Sequence, residues 1–297
     1  MHFRFALTLS VVLFAGFGIC PPSARGALPD SAGTLHHLLP PAIQAAGVLT
    51  IATDAHHPPC ETFADDNVSM IGFEPDLWTD LGKRLGVSIK PVSINFDGLI
   101  PGVQSGRYDT AMECITDSAE REKQVTFVDY AYGAAATAYS LADQTQVSSD
   151  PLSLCGLHAA TQVGMDFNAG LQTLSDACTA HGKAAIAISQ FPTDDAALMA
   201  LYSARVDFVL DDGAAASELQ KHAPRPIRTV DVGLPKLIAG AIVKPGNDRL
   251  AVALNAAFQS MIDDGSYGRI MQAWHIASLS MAKTGINLAT KPASALH

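Results

Sequence analysis

Short β-branched strands alternate with amphipathic helices along most of this 297-residue chain, and this alternation limits the folds open to it. Val48–Thr53 is a β-branched run, and residues 75–85 carry Leu and Trp at helical spacing. A second set of strands starts near Leu157, and a long amphipathic helix follows over residues 247–261. Strands that alternate with helices favour parallel or mixed sheets covered by helices. We therefore expect two α/β units.

Residues 107–132 place polar groups where such a sheet would bind a small anion. A buried strand leads into a polar turn, and we predict a short helix over residues 118–124 before the next strand. The carboxyl end of a strand followed by a helix N-terminus often binds anionic groups. Arg121 lies in the first turn of the predicted helix and can fork onto a carboxylate. The stretch therefore predicts a receptor site for a ligand that carries a carboxylate.

Residues 1–26 have the pattern of a secretory signal peptide. Arg4 supplies the positive start, residues 5–19 are apolar but short for a membrane span, and small residues precede a cleavage site near Gly26. Cys20 could carry a lipid, but the preceding Phe-Gly-Ile lacks the pattern that such processing favours. We expect an exported, periplasmic protein without a lipid anchor.

The charge balance argues against a nucleic-acid partner. The formal net charge is −10, and loss of the signal peptide would remove two Arg residues and no acidic ones. Affinity for nucleic acid comes from Lys and Arg on phosphates, and in this chain 29 acidic residues outnumber 19 Lys and Arg residues.

Export also favours disulfides among the cysteines that remain. These are Cys60, Cys114, Cys155 and Cys178. Three connectivities are possible, and we prefer the one that gives each α/β unit its own bridge. The competing zinc site is disfavoured because no pair has C-x2-C spacing, and His56 and His57 would point to opposite faces of an extended segment. We expect no metal.

Two further positions lie at strand ends. Asp211 and Asp212 follow an apolar run; such a pair can accept from an ammonium group or cap a helix, which we predict over residues 214–220. Phe96, before Asp97, is either a core residue or a platform for a ligand side chain.

Several short motifs follow one another in a specific order. They are Thr53-Asp54-Ala55, Pro58-Pro59, GFEPDL at 72–77, FDGLIP at 96–101, QSGRYD at 104–109, Glu120-Arg121, FVD at 127–129, the pair Asp207 and Asp212, and DGSY at 264–267. Each motif is weak alone, but the ordered set, from about Gly47 to Trp274, resembles the polar amino-acid binding proteins of ABC importers (family 3).

The resemblance implies an α/β fold of the bilobal type II periplasmic binding protein class, with two lobes joined by two hinge crossings. It implies that residues 44–134 and 240–278 form lobe 1 and that residues 135–239 form lobe 2. The polar stretch over residues 279–297 carries little structural signal, and we expect it to be a flexible tail. The implied function is a solute receptor, not an enzyme. It would bind a polar, possibly cationic, amino acid or related amine as a monomer and deliver it to a membrane permease.

The resemblance also implies roles for particular residues. Arg121 would bind the ligand's α-carboxylate, Thr116 would contact the ligand's main-chain groups, and Asp212 would accept from its α-ammonium. Phe96 and His57 would pack against the ligand side chain, and Asp54 would receive a distal cation.

This chain departs from the family pattern beside the expected pocket. His57 and Cys60 replace aromatic residues, and Glu113 and Cys114 stand where small residues are usual. A bridge between Cys60 and Cys114 would explain both cysteines. If Glu113 lies near the site, it would favour a cationic ligand, or its own pKa would be raised if it stays unpaired. The alternative is a solvated or salt-bridged side chain that faces away from the cleft.

The second-lobe loop departs as well. Gly164-Met165-Asp166 stands where relatives have Gly-Thr-Thr or Gly-Thr-Ser, so a hydroxyl that helps to hold the α-carboxylate is missing, and Asp166 would repel a carboxylate. Either the backbone N–H groups of this loop suffice, or the ligand is not a standard α-amino acid.

Two other functions remain open. The family resembles some exported cyclohexadienyl dehydratases. If this chain were such an enzyme, Glu113 or Asp166 could transfer the proton. Against this, the sequence has no paired-acid or His-Asp constellation specific to catalysis. A sensory domain is disfavoured because no transmembrane segment follows Trp274.

Overall fold

The computed structural model describes residues 33–133, 135–213, 219–220 and 223–291. The predicted signal peptide, including Cys20, and most of the helix predicted over residues 214–220 lie outside these residues. In the part of the chain that is described, no helix is both long and apolar enough to cross a membrane.

The elements alternate largely as the sequence predicts. The strands are β1 (Val48–Thr53), β2 (His56–His57), β3 (Glu61–Phe63), β4 (Met70–Ile71), β5 (Ser88–Ser93), β6 (Thr110–Ala111), β7 (Thr116–Asp117), β8 (Thr126–Tyr132), β9 (Ala136–Leu141), β10 (His158–Gln162), β11 (Ala187–Phe191), β12 (Phe208–Asp212), β13 (Ile227–Asp231), β14 (Ile238–Val243) and β15 (Ser280–Ile286). The α-helices of the described ranges are α1 (Pro41–Ala46), α2 (Phe73–Leu85), α3 (Leu99–Gln104), α4 (Phe167–Ala180), α5 (Asp194–Tyr202), α6 (Asp248–Asp263) and α7 (Ser266–Ala273).

Lobe 1 is built on a seven-stranded mixed sheet of order β15-β8-β14-β6-β1-β5, in which β7 also pairs with β14. β1 runs parallel to β5 and β6, whereas β14 runs antiparallel to β6, β7 and β8. Neighbouring residues of a strand face opposite sides of the sheet. Ile51 accordingly packs with Leu77 of α2 and Phe258 of α6, while Ala52 packs with Leu99 of α3. The helices thus cover both faces.

Lobe 2 repeats this plan with a five-stranded sheet of order β11-β10-β12-β9-β13. β10 is parallel to β11 and β12, and β9 is antiparallel to β12 and β13. Leu171 of α4 and Leu201 of α5 belong to separate apolar clusters. The carboxyl ends of β10 and β12 carry Gln162 and Asp212.

Two strand-to-strand crossings, β8 to β9 and β13 to β14, join the lobes, as predicted. The crossings lie side by side, since the Gly133 N–H donates to the Leu237 carbonyl over 2.7 Å. A chain that passes twice between lobes at one place can bend there and open a cleft.

The structure differs from the sequence-based expectation at the C-terminal end, where we expected a flexible tail over residues 279–297. β15 instead forms the edge of the lobe 1 sheet and pairs with β8. The Met281 N–H donates to the Tyr267 hydroxyl (3.1 Å), and the Leu288 N–H donates to the Asp129 carboxyl (2.9 Å). Residues 292–297 lie outside the described residues.

The helix predicted over residues 118–124 is also wrong. These residues form hydrogen-bonded turns, in which the Glu122 N–H donates to the Ser118 carbonyl and the Val125 N–H to the Arg121 carbonyl. β7 and β8 pair with opposite edges of β14, so this short connection must cross from one edge to the other. Too few residues remain to offset the cost of starting a helix.

Candidate ligand-binding cleft

The facing sides of the two lobes are in contact, so the cleft is closed. Gly164 of lobe 2 has φ +85°, and a Cβ on it would lie 3.3 Å from Phe96 Cδ1 of lobe 1. Met165 is buried and packs into the lobe 1 cluster that contains Phe96, Leu99 and Ile115. A cavity of about 120 Å³ remains beside Phe96, Ile115 and Gly164. The second-lobe loop therefore lies against Phe96.

Arg121 joins the lobes at one side of the cleft. Its Nη1 donates to the Thr116 carbonyl and its Nη2 to the Gly164 carbonyl, each over 2.7 Å. Nη1 also lies 2.7 Å from Asp166 Oδ2, an ion pair without hydrogen-bond alignment, since that oxygen is buried and accepts no hydrogen bond. The guanidinium carbon lies 5.7 Å from the Phe96 ring centroid. Burial lowers the pKa of Arg121, and the Asp166 carboxylate opposes this shift.

Asp54 forms the second contact between the lobes. Its Oδ2 accepts from the Phe96 N–H (3.1 Å) and from Nε2 of Gln162 in lobe 2 (2.9 Å). Its Oδ1 lies 2.7 Å from Nδ1 of His56. The carboxylate proposed to receive a ligand cation is thus 3% exposed and faces a second-lobe amide.

His57 forms the third contact. Its Nδ1 lies 2.8 Å from Asp194 Oδ2 at the start of α5, and one ligand atom from each of His57, Asp194 and Asp211 lies within 4.8 Å of the others. Burial opposes the charged form of His57, but the hydrogen bond to Asp194 and the nearby carboxylates raise its pKa well above the usual value. The pKa of Asp211 is also raised well above its usual value, by burial and by the charge of Asp194. The three groups could hold a cation between the lobes.

Glu113 lies behind the cleft and is buried rather than solvated. Its Oε2 accepts from Thr53 Oγ1 (2.5 Å) and from the Asp54 N–H. Burial raises the pKa of Glu113 to about 8. Its carboxyl neighbours Glu61 and Glu74 are also buried, and their pKa values are raised by burial. Glu113 is therefore neither a group that lines the cleft nor a solvated side chain on the surface. It faces inward and supports the Asp54 loop.

Each lobe has its own disulfide, Cys60–Cys114 and Cys155–Cys178, which is the pairing that we preferred. Cys114 has φ 48°, and its N–H donates to Glu74 Oε1 over 2.7 Å. The Tyr130 hydroxyl donates to the same oxygen. The Cys60–Cys114 bridge thus fixes the turn after Glu113 against the buried carboxyl cluster.

Asp212 lies beside the hinge, where it lines a crevice with Cys60, Cys114 and Tyr132. Its carbonyl accepts from the Tyr139 hydroxyl, and its N–H donates to Asp211 Oδ1 over 2.7 Å. The ligand-binding roles of Asp212 and of the other residues singled out from the sequence remain predictions.

Replacing Glu113 with Gln should make stability less dependent on pH. The folded-state pKa of about 8 lies above the ordinary value, so the folded protein holds a proton that the unfolded chain releases as the pH rises above about 4.5. The stabilisation is complete at low pH and is lost as the pH rises to about 8. Gln keeps an acceptor for Thr53 and cannot ionise.

Urea unfolding between pH 5 and pH 8.5 tests this expectation. The wild type should lose several kcal/mol more stability than Glu113→Gln over this range, because the pKa of Glu113 is raised from 4.5 to about 8 and each pKa unit corresponds to about 1.4 kcal/mol. Asp65→Asn, on the exposed loop between β3 and β4, is the matched control and should follow the wild type. Parallel pH curves for Glu113→Gln and the wild type would contradict the assignment.

Sequence reasoning missed Gln162 and Asp194 as cleft residues and left the role of Asp211 open. Gln162 ends β10, and Asp194 follows the N-cap residue Thr193, so both positions carried a strand-end or helix-start signal. Their partners are 108 and 137 positions away in the chain, which no local pattern indicates.

Comparison with known proteins gives the family. Residues 49–277 match the profile of the bacterial extracellular solute-binding proteins, family 3. An arginine-binding protein of Corynebacterium glutamicum is 31% identical over 251 residues, which cover 84% of this chain and 81% of the relative. An L-cystine-binding protein of Escherichia coli is 25% identical over 253 residues, and the match covers 80% of this chain and 86% of the relative.

A solved structure of an ancestral arginine-binding protein bound to arginine superposes with a TM-score of 0.70 at 27% identity. The match covers 77% of this chain and 98% of that one. The predicted resemblance and the bilobal fold class are confirmed, and the chain belongs to the bacterial extracellular solute-binding proteins, family 3.

Proposed function

We propose that this protein is a periplasmic receptor that binds a polar, cationic amino acid or related amine and delivers it to the permease of an ABC importer. The observation that carries the proposal is the acidic lining of a closed cleft between two lobes. The carboxyl groups in and beside this cleft are those of Asp54, Asp166, Asp194, Asp211 and Asp212. Among the described residues, His56, His57 and Arg121 are the basic side chains that pair with them, on Asp54, Asp194 and Asp166 respectively.

The cleft architecture suits a receptor that closes on its ligand. Contacts from Arg121 to Gly164, from Asp54 to Gln162 and from His57 to Asp194 each join one lobe to the other. A ligand that completes these contacts would bind the closed form better and shift the population towards it. The permease would then distinguish loaded from empty receptor by the distance between the lobes.

The arrangement favours binding over catalysis. Glu113 is buried behind Thr53 and Asp54, and Asp166 is paired with Arg121, so neither carboxyl faces a substrate with a proton to exchange. An enzyme on this scaffold would need such a group within hydrogen-bond reach of its substrate. We infer a monomeric binding protein that reaches the periplasm through its predicted signal peptide.

Isothermal titration calorimetry on refolded, ligand-free protein tests the proposal. The probes are arginine, lysine, ornithine, agmatine, cadaverine and putrescine, with glutamate, aspartate and leucine for comparison. Saturable binding of at least one cationic probe, with no binding of glutamate or aspartate, is expected. Tight binding of an acidic amino acid, or steady turnover of prephenate or arogenate, would overturn the function.

A further inference from the structure

The anion that faces Arg121 in the closed cleft belongs to the protein itself. Asp166 follows the loop Gly164-Met165 and immediately precedes α4, with its Oδ2 2.7 Å from Arg121 Nη1. This loop is well fixed, because Met165 is buried in the lobe 1 cluster and Gly164 lies against Phe96. Asp166 therefore reaches Arg121 whenever the lobes close in this way.

Because Asp166 already pairs with Arg121, the ligand groups that Arg121 can bind are limited. The side chain of Arg121 is 7% exposed, and one carboxylate already balances its single charge. A ligand carboxylate brought to the same guanidinium would stand beside Asp166 in a buried site, where like charges repel strongly. Gly164-Met165-Asp166 also contains no hydroxyl that could share a carboxylate.

The other charges of the cleft call for a cation. Asp211 is 1% exposed, and its neighbours in the His57 cluster include the Asp194 carboxylate. Asp54, 3% exposed, accepts from the Phe96 N–H and from the neutral Gln162 amide of lobe 2, and its other oxygen lies 2.7 Å from the partly exposed His56 of its own lobe. His57 carries at most one positive charge towards Asp194 and Asp211. Buried carboxylates that outnumber their cations are stabilised when a ligand supplies positive charge.

We propose that the ligand is a cationic amine without a carboxylate group, such as a diamine or a guanidinoalkylamine. Asp166 takes the place of the ligand carboxylate on Arg121, and the ligand's cationic ends meet Asp54 and the His57, Asp194 and Asp211 cluster. The inference deepens the proposed function, because it names the ligand class of the same cleft.

The test compares amino acids with their decarboxylated counterparts by calorimetry at pH 7.5 with EDTA present. The pairs are arginine with agmatine, lysine with cadaverine, and ornithine with putrescine. We expect the best amine to bind at least about tenfold tighter than its amino acid. In Asp166→Ser the amino acid of that pair should gain at least about tenfold, because the repelling charge is gone and a hydroxyl replaces it.

Two further variants make the outcome decisive. Asp166→Asn keeps the side-chain shape and should shift the preference in the same direction, so a folding defect in one variant does not decide the test. Asp176→Asn, on the exposed side of α4, should keep the wild-type preference.

Each unfavourable result has its own meaning. If arginine, lysine or ornithine binds more tightly than its amine in the wild type, the ligand-class inference is wrong and the receptor function stands. If no cationic probe binds, the proposed function fails as well. If Zn²⁺ or Mn²⁺ alone, titrated without EDTA, binds at the His57 cluster and no amine binds, the cluster is a metal site and the inference is overturned.

Discussion

Replacing Arg121 with Ala is expected to weaken ligand binding at least about 100-fold. Arg121 belongs to lobe 1, yet it donates to the Gly164 carbonyl of lobe 2 and pairs with Asp166. Without it, closure would bury the Asp166 carboxylate with no countercharge. Breaking a buried ion pair by removing one partner costs about 3–5 kcal/mol, and each 1.4 kcal/mol changes affinity tenfold. The loss is expected whether or not the ligand carries a carboxylate.

Calorimetry on Arg121→Ala with the tightest wild-type ligand measures this loss. Lys123→Ala is the matched control, because Lys123 lies in the same turn, is largely exposed and pairs only with Glu120 among the described residues. It should bind like the wild type. A thermal melt of Arg121→Ala separates weakened closure from misfolding. Unchanged affinity in a folded Arg121→Ala protein would contradict the cleft assignment.

The lobes themselves were predictable because their signals are local. Residues 75–85 carry apolar side chains at helical spacing, and α2 forms there, from Phe73 to Leu85. Val48–Thr53 is β-branched and forms the central strand β1. Burial of one face or stripe of each element then follows from its own periodicity, and pairing of such elements limits the architecture.

The elements predicted wrongly depend on distant partners. β15 contains a Lys, a Thr and a Gly and lacks a clear strand pattern, but the edge of β8 and the Tyr267 hydroxyl hold it in the sheet. Residues 118–124 are rich in helix-forming types, yet β14 separates β7 from β8 and imposes a crossing there. Tertiary context outweighs propensity in both places.

The site was predictable as a set of positions but not as a set of contacts. The family motifs indicate Asp54, Arg121 and Phe96, and all three lie in the cleft. The partner of each depends on how the lobes meet: Gln162 reaches Asp54, and Asp166 reaches Arg121. From sequence alone, Asp166 at this position already suggested a ligand other than a standard α-amino acid. The ion pair with Arg121 gives the physical reason, because Asp166 lies where a ligand carboxylate would bind.

Replacing Asp211 with Asn is expected to stabilise the empty protein while it weakens the binding of a cationic ligand. Burial and the Asp194 charge raise the pKa of Asp211 well above its usual value, so the folded state disfavours the ionised carboxylate. Asn keeps an oxygen that can accept from the Asp212 N–H and carries no charge. Functional sites commonly hold charges that cost stability until the ligand arrives.

The two effects should have opposite signs and different pH dependence. A carboxyl with a raised folded-state pKa loses its contribution to stability as the pH rises through that pKa. The advantage of Asn in urea unfolding should therefore grow as the pH rises from 5 to 8. Affinity for the best cationic ligand should fall about 10- to 100-fold in calorimetry.

Asp143→Asn provides the matched control, because Asp143 is largely exposed at the surface of lobe 2. Its contact with Arg225 is a long surface ion pair of 3.4 Å, away from the cleft. Both its stability and its affinity should stay close to those of the wild type. A less stable Asp211→Asn protein would show that the charge of Asp211 stabilises the empty protein by pairing with protonated His57. A more stable variant with unchanged affinity would place the ligand's cation away from the His57 cluster. Only the combination of higher stability and lower affinity is explained by a carboxylate kept buried for a cationic ligand.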